Sequence, residues 1–289
     1  MNPITLQARD RTITFPRRPL VMGIVNINDD SFSGDGTLDI DQSLQTARTM
    51  VSAGADIIDI GAESARTNRG PISPAEEAAR LVPFIQRFPT EVATSQPADD
   101  TQLHPPLLSL NTWRPEVVAN VLPHGGDLLN DISALPDDTN ARLCAAHTTA
   151  LLIMHSVGEP KVPHTSESYP DIVATLDRFF EQKIKLAQAA GLSERQVILD
   201  PGLDFAKQRD DNLRIIKHLE RLQRFHRPVL LPVSRKTVIG DVLDLPDPRD
   251  RDAGTIALVA AGLSRGAHIF RVHNVKAAHS TIKTLHALS

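Results

Sequence analysis

The stretch Val197-Ile198-Leu199-Asp200-Pro201-Gly202-Leu203-Asp204-Phe205-Ala206-Lys207 decides the fold, because three apolar residues run into an acid and a Pro-Gly pair. A short apolar run that ends at a turn signal is typical of a buried strand. The residue before a proline favours extended backbone, so we expect Asp200 to be the last residue of that strand. Taken alone, Asp-Pro-Gly more often only begins a turn. A binding site is indicated only if other strands end in the same way.

The same unit, an apolar run followed by a polar loop and an amphipathic helical pattern, recurs along the whole chain. Helix signals include the Ser73-Pro74 pair, since serine caps helices and proline suits their first turn. Continuous apolar strands that alternate with helices indicate a parallel sheet covered on its faces. Eight such units predict an α/β fold of the (β/α)8 TIM-barrel type, and an open doubly wound sheet would have fewer strands. The predicted strands cover residues 20–27, 56–63, 106–112, 127–132, 150–155, 197–200, 228–234 and 268–273.

Two segments lie outside these units. Residues 1–19 contain an alternating pattern around Asp10-Arg11, which predicts a short N-terminal β-hairpin. Residues 90–105 are polar and lack a helix or strand pattern, so we interpret them as an insertion in the loop before the third strand. We therefore expect one barrel domain over residues 1–289.

Composition narrows the function classes. The chain has 289 residues, a net charge of −4 and one cysteine, Cys144, in an Ala-rich stretch that suits helix packing better than nucleophilic chemistry. A disulfide within the chain is impossible, which suits a reducing compartment. Because no apolar run reaches membrane-spanning length and no Lys/Arg block is present, we expect a cytoplasmic protein that binds neither membranes nor nucleic acid.

Every predicted strand ends in polar groups, which a barrel of this type would gather at one face. Amides and one carboxylate suit a planar ligand with adjacent donors and acceptors, and the cations suit a phosphate or diphosphate. Transition-metal spacing, a Walker loop and a nucleophile elbow are absent from the sequence, whereas Mg²⁺ brought in with a diphosphate is plausible. Each residue alone also has an ordinary structural explanation, such as a helix cap, a solvated lysine or a core histidine. The strand-end groups are Asn26, Glu63, Asn111, Asn130 with Asp131, His155, Asp200, Ser234 with Arg235-Lys236, and Arg271 with His273.

The motifs at all eight strand ends, in order, resemble those of the dihydropteroate synthase family. They are MGIVNINDDSFS (22–33), DIIDIGAESAR (56–66), LSLNTWRPEVV (108–118), LLNDIS (128–133), MHS (154–156), ILDPGLDFAK (198–207), VSRKTVIG (233–240) and FRVHNV (270–275). The resemblance implies a transferase of folate biosynthesis that condenses p-aminobenzoate with 6-hydroxymethyl-7,8-dihydropterin diphosphate, using Mg²⁺. It also implies a homodimer that forms through barrel helices far from the active face.

The resemblance also implies a role for each matching residue. The pterin would be bound by Asn111, Asn130, Asp200 and Lys236, and p-aminobenzoate by Ala65 and Thr237. The diphosphate would be bound by Asn26, Arg66, Arg271 and His273, with Asn26 also touching the Mg²⁺ ion. The groups that act in catalysis would be Lys236, Arg271, His273 and Arg66.

Several positions depart from the family pattern. The family usually has Asp at position 111, Thr at 65 and Gly at 204, 206 and 232, where this chain has Asn111, Ala65, Asp204, Ala206 and Pro232. These departures keep two alternatives open. One is a pterin-binding paralogue without synthase activity. The other is a methyltetrahydrofolate–corrinoid methyltransferase, although methyl transfer has no diphosphate for Arg271 and His273 to bind.

Overall fold

The computed structural model describes residues 3–28, 36–63, 70–162, 164 and 166–288. Within these residues the strands are β1 (Ile4–Ala8), β2 (Arg11–Phe15), β3 (Leu20–Asn26), β4 (Ile57–Gly61), β5 (Leu107–Asn111), β6 (Leu128–Asp131), β7 (Ala150–Met154), β8 (Val197–Asp200), β9 (Leu230–Leu231) and β10 (Ile269–Val272). The α-helices are α1 (Ile40–Ser52), α2 (Pro74–Glu91), α3 (Pro115–Val121), α4 (Thr139–Ala146), α5 (Ile172–Ala189), α6 (Arg209–Lys217), α7 (Thr237–Leu243), α8 (Asp252–Leu263) and α9 (Val275–His286).

Strands β3 to β10 form a parallel barrel in the order β8-β7-β6-β5-β4-β3-β10-β9. A parallel bridge between Leu199 and Val229 joins the two ends of this sheet. Strand β9 has only two residues because Pro228 and Pro232, on either side of it, have no N–H to donate. Strands β1 and β2 pair as an antiparallel hairpin. The predicted TIM barrel with an N-terminal hairpin is therefore confirmed.

The side chains of each barrel strand alternate between two hydrophobic cores, one outside and one inside the barrel. Outward residues such as Ile58 and Leu110 pack with the helices in one cluster, which includes the buried Cys144 in its predicted packing role. Inward residues such as Ile57 and Leu128 form a second cluster in the lower half of the barrel, together with the hairpin residue Phe15. Because side chains in a strand alternate between faces, residues two positions after the inward apolar ones also point into the barrel. They lie nearer the carboxyl ends of the strands, which form the upper end of the barrel.

The lower end of the barrel is closed by buried polar contacts. Arg18 forms two bonds of 2.9 Å with Asp56, and both side chains are almost fully buried. Asp56 also accepts from the backbone N–H groups of Val21 and Leu103, at 2.8 and 2.7 Å. Gln102 donates to two backbone carbonyls near the end of α1. The polar segment 90–105 thus begins inside α2 and then packs against the bottom of the barrel.

The hydrophobic period of the sequence predicts the first helix over residues 43–53, whereas α1 begins at Ile40. The Asp39 carboxylate caps this helix by accepting from the N–H groups of Asp41 and Gln42, a signal that the hydrophobic period did not contain. The second helix begins as predicted, since Ser73 caps it and Pro74 is its first residue. Within the described part of the chain, no helix is long and apolar enough to cross a membrane.

Candidate active site

A fully buried carboxylate, Asp59 of β4, lies at the centre of the upper barrel. Ser109 donates to it at 2.5 Å, and Asn130 donates to both of its oxygens at 3.2 and 3.3 Å. Arg271 donates through Nε at 2.7 Å. All four residues lie on strands, so packing of the barrel fixes their positions. Asp59 therefore holds two predicted site residues, Asn130 for the pterin and Arg271 for the diphosphate, in fixed orientations.

Asp200 is the last residue of β8, as predicted, and it is 3% exposed. Burial raises the pKa of Asp200 to about 6, although the Gly202 N–H bond and the positive charges of Lys236, Lys207 and Arg271 act in the opposite direction. Burial also lowers the pKa of Lys207 to about 7, against the attraction of Asp200. Asp200 and Lys207 are thus two buried groups of opposite charge whose pKa values are both shifted toward neutral pH, which is common at functional sites.

The loop after Asp200 is tightly held. Gly202 has φ +68°, and a Cβ at this position would lie 2.0 Å from the carbonyl oxygen of His155, so the turn requires glycine. Asp204 and Ala206, which replace family glycines, also have left-handed φ values of 66° and 50°. The loop therefore keeps a backbone that suits glycine. Lys207 supports it by donating to the carbonyls of Phe205 and His155, at 2.9 and 3.1 Å.

Lys236 and Thr237 lie beside this loop, at the start of α7. Lys236 donates to the carbonyl of Leu203 at 2.8 Å, and its Nζ lies 4.9 Å from the centre of the Phe205 ring. Burial lowers the pKa of Lys236, while the carboxylates of Asp204 and Asp200 favour its charged form. The backbone N–H of Thr237 donates to Asp204. The loop and the start of α7 therefore form one wall of the site.

The predicted diphosphate residues Arg271 and His273 follow one another on β10 and the loop after it. Ser234 Oγ lies 2.7 Å from His273 Nδ1 and accepts from the His273 backbone N–H at 3.1 Å, which fixes the imidazole plane. Arg235 is bound to α8, because its Nε donates to Asp252 at 2.7 Å. Of the cations near the end of β9, Lys236 rather than Arg235 therefore faces Asp200.

Three other strand-end groups have structural roles. Asp131 points outward, where it accepts from Asn140 and Ser133, and burial raises its pKa. His155 is buried with its ring against Phe179, and burial lowers its pKa to about 3, so it is a neutral core histidine. Glu63 forms ion pairs with Lys161 and Arg114 at 2.9 and 2.5 Å, which joins neighbouring loops at the upper rim.

The remaining predicted residues lie at the same rim or outside the described residues. Asn26 and Asn111 are the last residues of β3 and β5, and both are partly exposed. Ala65 and Arg66 lie outside the described residues. Within the described part of the chain, no group of three His, Cys, Asp or Glu side chains could hold a metal ion. An Mg²⁺ ion is compatible with this set, because it keeps several waters and commonly binds substrate phosphates.

Sequence reasoning missed three residues of the site: Asp59, Ser109 and Lys207. The strand pattern contained a signal for the first two. Each lies two positions after an inward apolar residue, Ile57 or Leu107, so each occupies the inward face of its strand. For Lys207, no comparable signal exists, because its place depends on the left-handed turns of the loop before it.

Comparison with known proteins agrees with this geometry. Residues 22–273 match the family described as pterin binding enzyme. The chain belongs to this family. It is 36% identical over 274 residues to the dihydropteroate synthase of Synechocystis sp., covering 94% of this chain and 91% of that protein.

Solved structures of pterin-binding enzymes also match over almost the whole chain. A crystal structure of Yersinia pestis dihydropteroate synthase in complex with a sulfonamide drug superposes with a TM-score of 0.87, at 35% identity and with 98% of each chain covered. The Xanthomonas albilineans dihydropteroate synthase with 4-aminobenzoic acid gives a TM-score of 0.85 at 30% identity, covering 99% of this chain and 98% of that one. The predicted family resemblance is confirmed.

Proposed function

We propose that the protein is a dihydropteroate synthase, a transferase that joins p-aminobenzoate to 6-hydroxymethyl-7,8-dihydropterin diphosphate and releases diphosphate. The observation that carries this proposal is the buried Asp200 at the end of β8, among strand-end groups that include the Asn130 amide, its carboxylate partner Asp59 and the cations Lys236 and Arg271. Full-length similarity to dihydropteroate synthases supports it.

The floor of the pocket suits the pterin. Asp200 is a buried acceptor whose carboxylate keeps capacity for N–H bonds from the amino edge of the ring beside its bond from Gly202, and Asn130 lies two strands away on β6. N–H groups of a bound ring replace the water hydrogen bonds that Asp200 loses by burial. Pterin binding therefore stabilises the ionised carboxylate, whose desolvation raises the pKa. Asn111 adds an amide at the end of β5, and Lys236 adds a donor at the start of α7.

The upper part of the pocket suits the leaving group. Arg271 and His273 lie on the same side, and both are oriented by partners, Asp59 and Ser234. The charge of Arg271 and fixed N–H donors stabilise the charge that develops on the diphosphate as the bond from the pterin methylene to oxygen breaks. The amine nitrogen of p-aminobenzoate then forms the new bond to the methylene and loses a proton. Asn26 and the diphosphate oxygens would hold Mg²⁺, which would neutralise part of the leaving charge.

The decisive experiment is a synthase assay with purified protein, dihydropterin diphosphate, p-aminobenzoate and Mg²⁺. We expect dihydropteroate to form and the gene to restore growth of a synthase-deficient host. Asp200→Asn should lose this activity, whereas Arg249→Ala, which removes an exposed side chain paired with Asp247, should keep it. If wild-type protein forms no product and does not restore growth, the proposal is wrong.

Two outcomes would support the alternatives. Pterin binding by calorimetry without any turnover would indicate a paralogue that binds the pterin only. Corrinoid-dependent demethylation of methyltetrahydrofolate would indicate the methyltransferase, but Arg271 and His273 argue against it because that reaction has no diphosphate.

We also propose that the protein is a homodimer, following the family resemblance. Exposed apolar side chains on α7 support an interface away from the strand ends, since Val242 and Leu243 are 46% and 47% exposed. Sedimentation equilibrium should give twice the chain mass for wild-type protein and a smaller value for Leu243→Lys. A monomeric wild-type protein would contradict the proposal.

A further inference from the structure

A second cleft, which we call the Trp113 cleft, opens at the upper rim of the barrel. It has a volume of about 470 Å³ and lies among the loops that follow the neighbouring strands β4, β5, β6 and β7. A volume of this size is common for small-molecule sites. Within the described part of the chain, none of the residues predicted to bind the substrates lines this cleft. The cleft is therefore separate from the pocket around Asp200.

The walls of the Trp113 cleft are apolar and rigid. Trp113 lines it together with Val162, whose side chain is 47% exposed. Each of the four loops also contributes one proline, and these are Pro71, Pro115, Pro136 and Pro160. Because proline fixes its own φ angle, the walls lose little conformational freedom when a ligand binds. An exposed apolar wall that contains an indole favours a flat ring as the ligand.

The two cations that line the cleft are balanced by buried carboxylates. Arg114 Nη1 lies 2.5 Å from a carboxylate oxygen of Glu63 and 2.5 Å from one of Glu77. Lys161 Nζ donates to Glu63 at 2.9 Å and to the carbonyl of Gly70 at 3.2 Å. Because the carboxylates of Glu63 and Glu77 are almost fully buried, a ligand cannot displace them easily. These cations therefore give the cleft little net attraction for an anion.

The two exposed acids that line the cleft are Asp137 and Glu159. Glu159 forms no ion pair with another residue in the described ranges. The backbone N–H of Thr139 holds the pKa of Asp137 below its ordinary value, so this carboxylate is ionised at neutral pH. Lys183 also acts on Asp137, but it does not line the cleft. The rim of the cleft is therefore suited to a positively charged ligand.

Asn140 adds a neutral acceptor to the same cleft. Its side chain is 4% exposed, and its Nδ2 donates to the Trp113 carbonyl at 2.8 Å and to Asp131 at 2.9 Å. Its Oδ1 has no hydrogen-bond partner among the residues that the structure describes. A buried amide oxygen without a partner is uncommon in folded proteins. The acceptor that lacks a partner and the two acids all call for N–H donors on the ligand.

We propose that the Trp113 cleft is a binding site for a flat aromatic cation, a ring that carries an amidine or a protonated amino group. The ring packs against Trp113 and the proline walls, and its N–H groups donate to the acceptors at the rim. The inference goes beyond the proposed synthase function and does not depend on it.

The fluorescence of Trp113 provides the test, because Trp113 is the only tryptophan of the chain. The probes are benzamidine, benzamide and benzoate, which have similar shapes and are cationic, neutral and anionic. We expect benzamidine to change the emission saturably, with a Kd about three- to fivefold lower than that of benzamide, and benzoate to bind most weakly. No saturable change with benzamidine, or equal or tighter binding of benzoate, would overturn the inference.

Substitutions assign the binding to this cleft. Glu159→Gln keeps the shape and removes a charge, so it should raise the Kd of benzamidine about threefold and leave that of benzamide unchanged. Val162→Ser removes apolar surface that both probes contact, so it should weaken both. Glu220→Gln removes an exposed acid on the segment after α6 and should change neither Kd. Wild-type affinity for benzamidine in both Glu159→Gln and Val162→Ser would show that the probe binds elsewhere.

Competition separates the Trp113 cleft from the pocket around Asp200. A saturating concentration of 6-hydroxymethylpterin should leave the affinity for benzamidine unchanged. Loss of benzamidine binding in the presence of the pterin would place the probe in the pocket around Asp200 and would overturn the inference. Since these measurements report binding alone, they give the same answer whether or not the protein forms dihydropteroate.

Discussion

Arg271 donates from Nε to the Oδ2 atom of Asp59 at 2.7 Å, although the two residues are 212 positions apart in the chain. Strand β3 lies between the strands that carry them. Asp59 is fully buried and also accepts from Ser109 and Asn130. One carboxylate therefore sets the orientation of a group on the pterin side of the pocket and of a group on the diphosphate side.

This relationship predicts the effect of Asp59→Asn. An amide oxygen in place of Oδ2 could still accept from Arg271 and Asn130, but the substitution removes the negative charge beside Arg271 and puts an NH₂ group against the Asn130 donor. We expect kcat/KM for dihydropterin diphosphate to fall about 10- to 100-fold, since misplaced binding groups are costly in catalysis. Steady-state kinetics measure this. Ser109→Ala removes a donor to the same carboxylate and should cost less than about threefold. Equal effects of the two substitutions would contradict the orienting role.

The buried Asp200 predicts a pH-dependent affinity for the pterin. Its pKa of about 6 means that the carboxylate takes up a proton as pH falls through 6 and then accepts fewer hydrogen bonds. Affinity for a 6-hydroxymethylpterin, measured by calorimetry, should fall up to about tenfold for each pH unit below that value. Asp200→Asn should bind weakly, with no such dependence between pH 5 and 7. A wild-type affinity that rises at acid pH would contradict this role.

The raised pKa of Asp200 has the opposite effect on folding stability, which falls as pH rises. Because the folded-state pKa of Asp200 is above its ordinary value of 3.8, its contribution to stability is present below that value and is lost as pH rises through about 6. Ionised Asp200 therefore favours ligand binding and weakens the unliganded fold. Addition of the pterin should raise the melting temperature more at pH 7.5 than at pH 5, which differential scanning fluorimetry measures.

At Asn111, restoring the residue that the family usually has should maintain or increase kcat. Asn111 is the partly exposed last residue of β5, and under the proposed function it would lie near the positive charge that develops on the pterin. A carboxylate stabilises such charge better than an amide dipole. We expect Asn111→Asp to preserve kcat or raise it a few-fold, and Asn111→Leu to lower it. A large loss of kcat in Asn111→Asp would show that the pocket is built around the amide.

The sequence predicted the barrel well because each strand carries its own signal. Continuous apolar runs and turn residues marked all eight strands, and the strand ends placed Asn130, Asp200 and Arg271 at one face. These are local features, and barrel topology brings them together. Pro232 was recognised as a departure, but its effect, a β9 of two residues, depended on knowing which N–H groups the ladder uses.

The rest of the site could not be predicted because it depends on contacts between distant parts of the chain. Asp59 interacts with residues 50, 71 and 212 positions away. The contact of Asp204 with the Thr237 N–H depends on a left-handed backbone at a non-glycine residue, which a single sequence does not reveal. The alternation of side chains in β4 indicates that Asp59 points into the barrel, as Ile57 does, but not which residues it contacts there.

The buried pair of Arg18 and Asp56 predicts where the fold is most sensitive to a single substitution. Both residues are at most 3% exposed, and Asp56 also accepts from two backbone N–H groups, so Asp56→Ala leaves Arg18 without its counter-charge and two N–H donors without partners. We expect the free energy of unfolding, measured in urea, to fall by about 3–5 kcal/mol. Arg249→Ala breaks an exposed ion pair with Asp247 and should cost less than about 1 kcal/mol. Comparable losses in the two variants would mean that water reaches the lower end of the barrel and solvates Arg18.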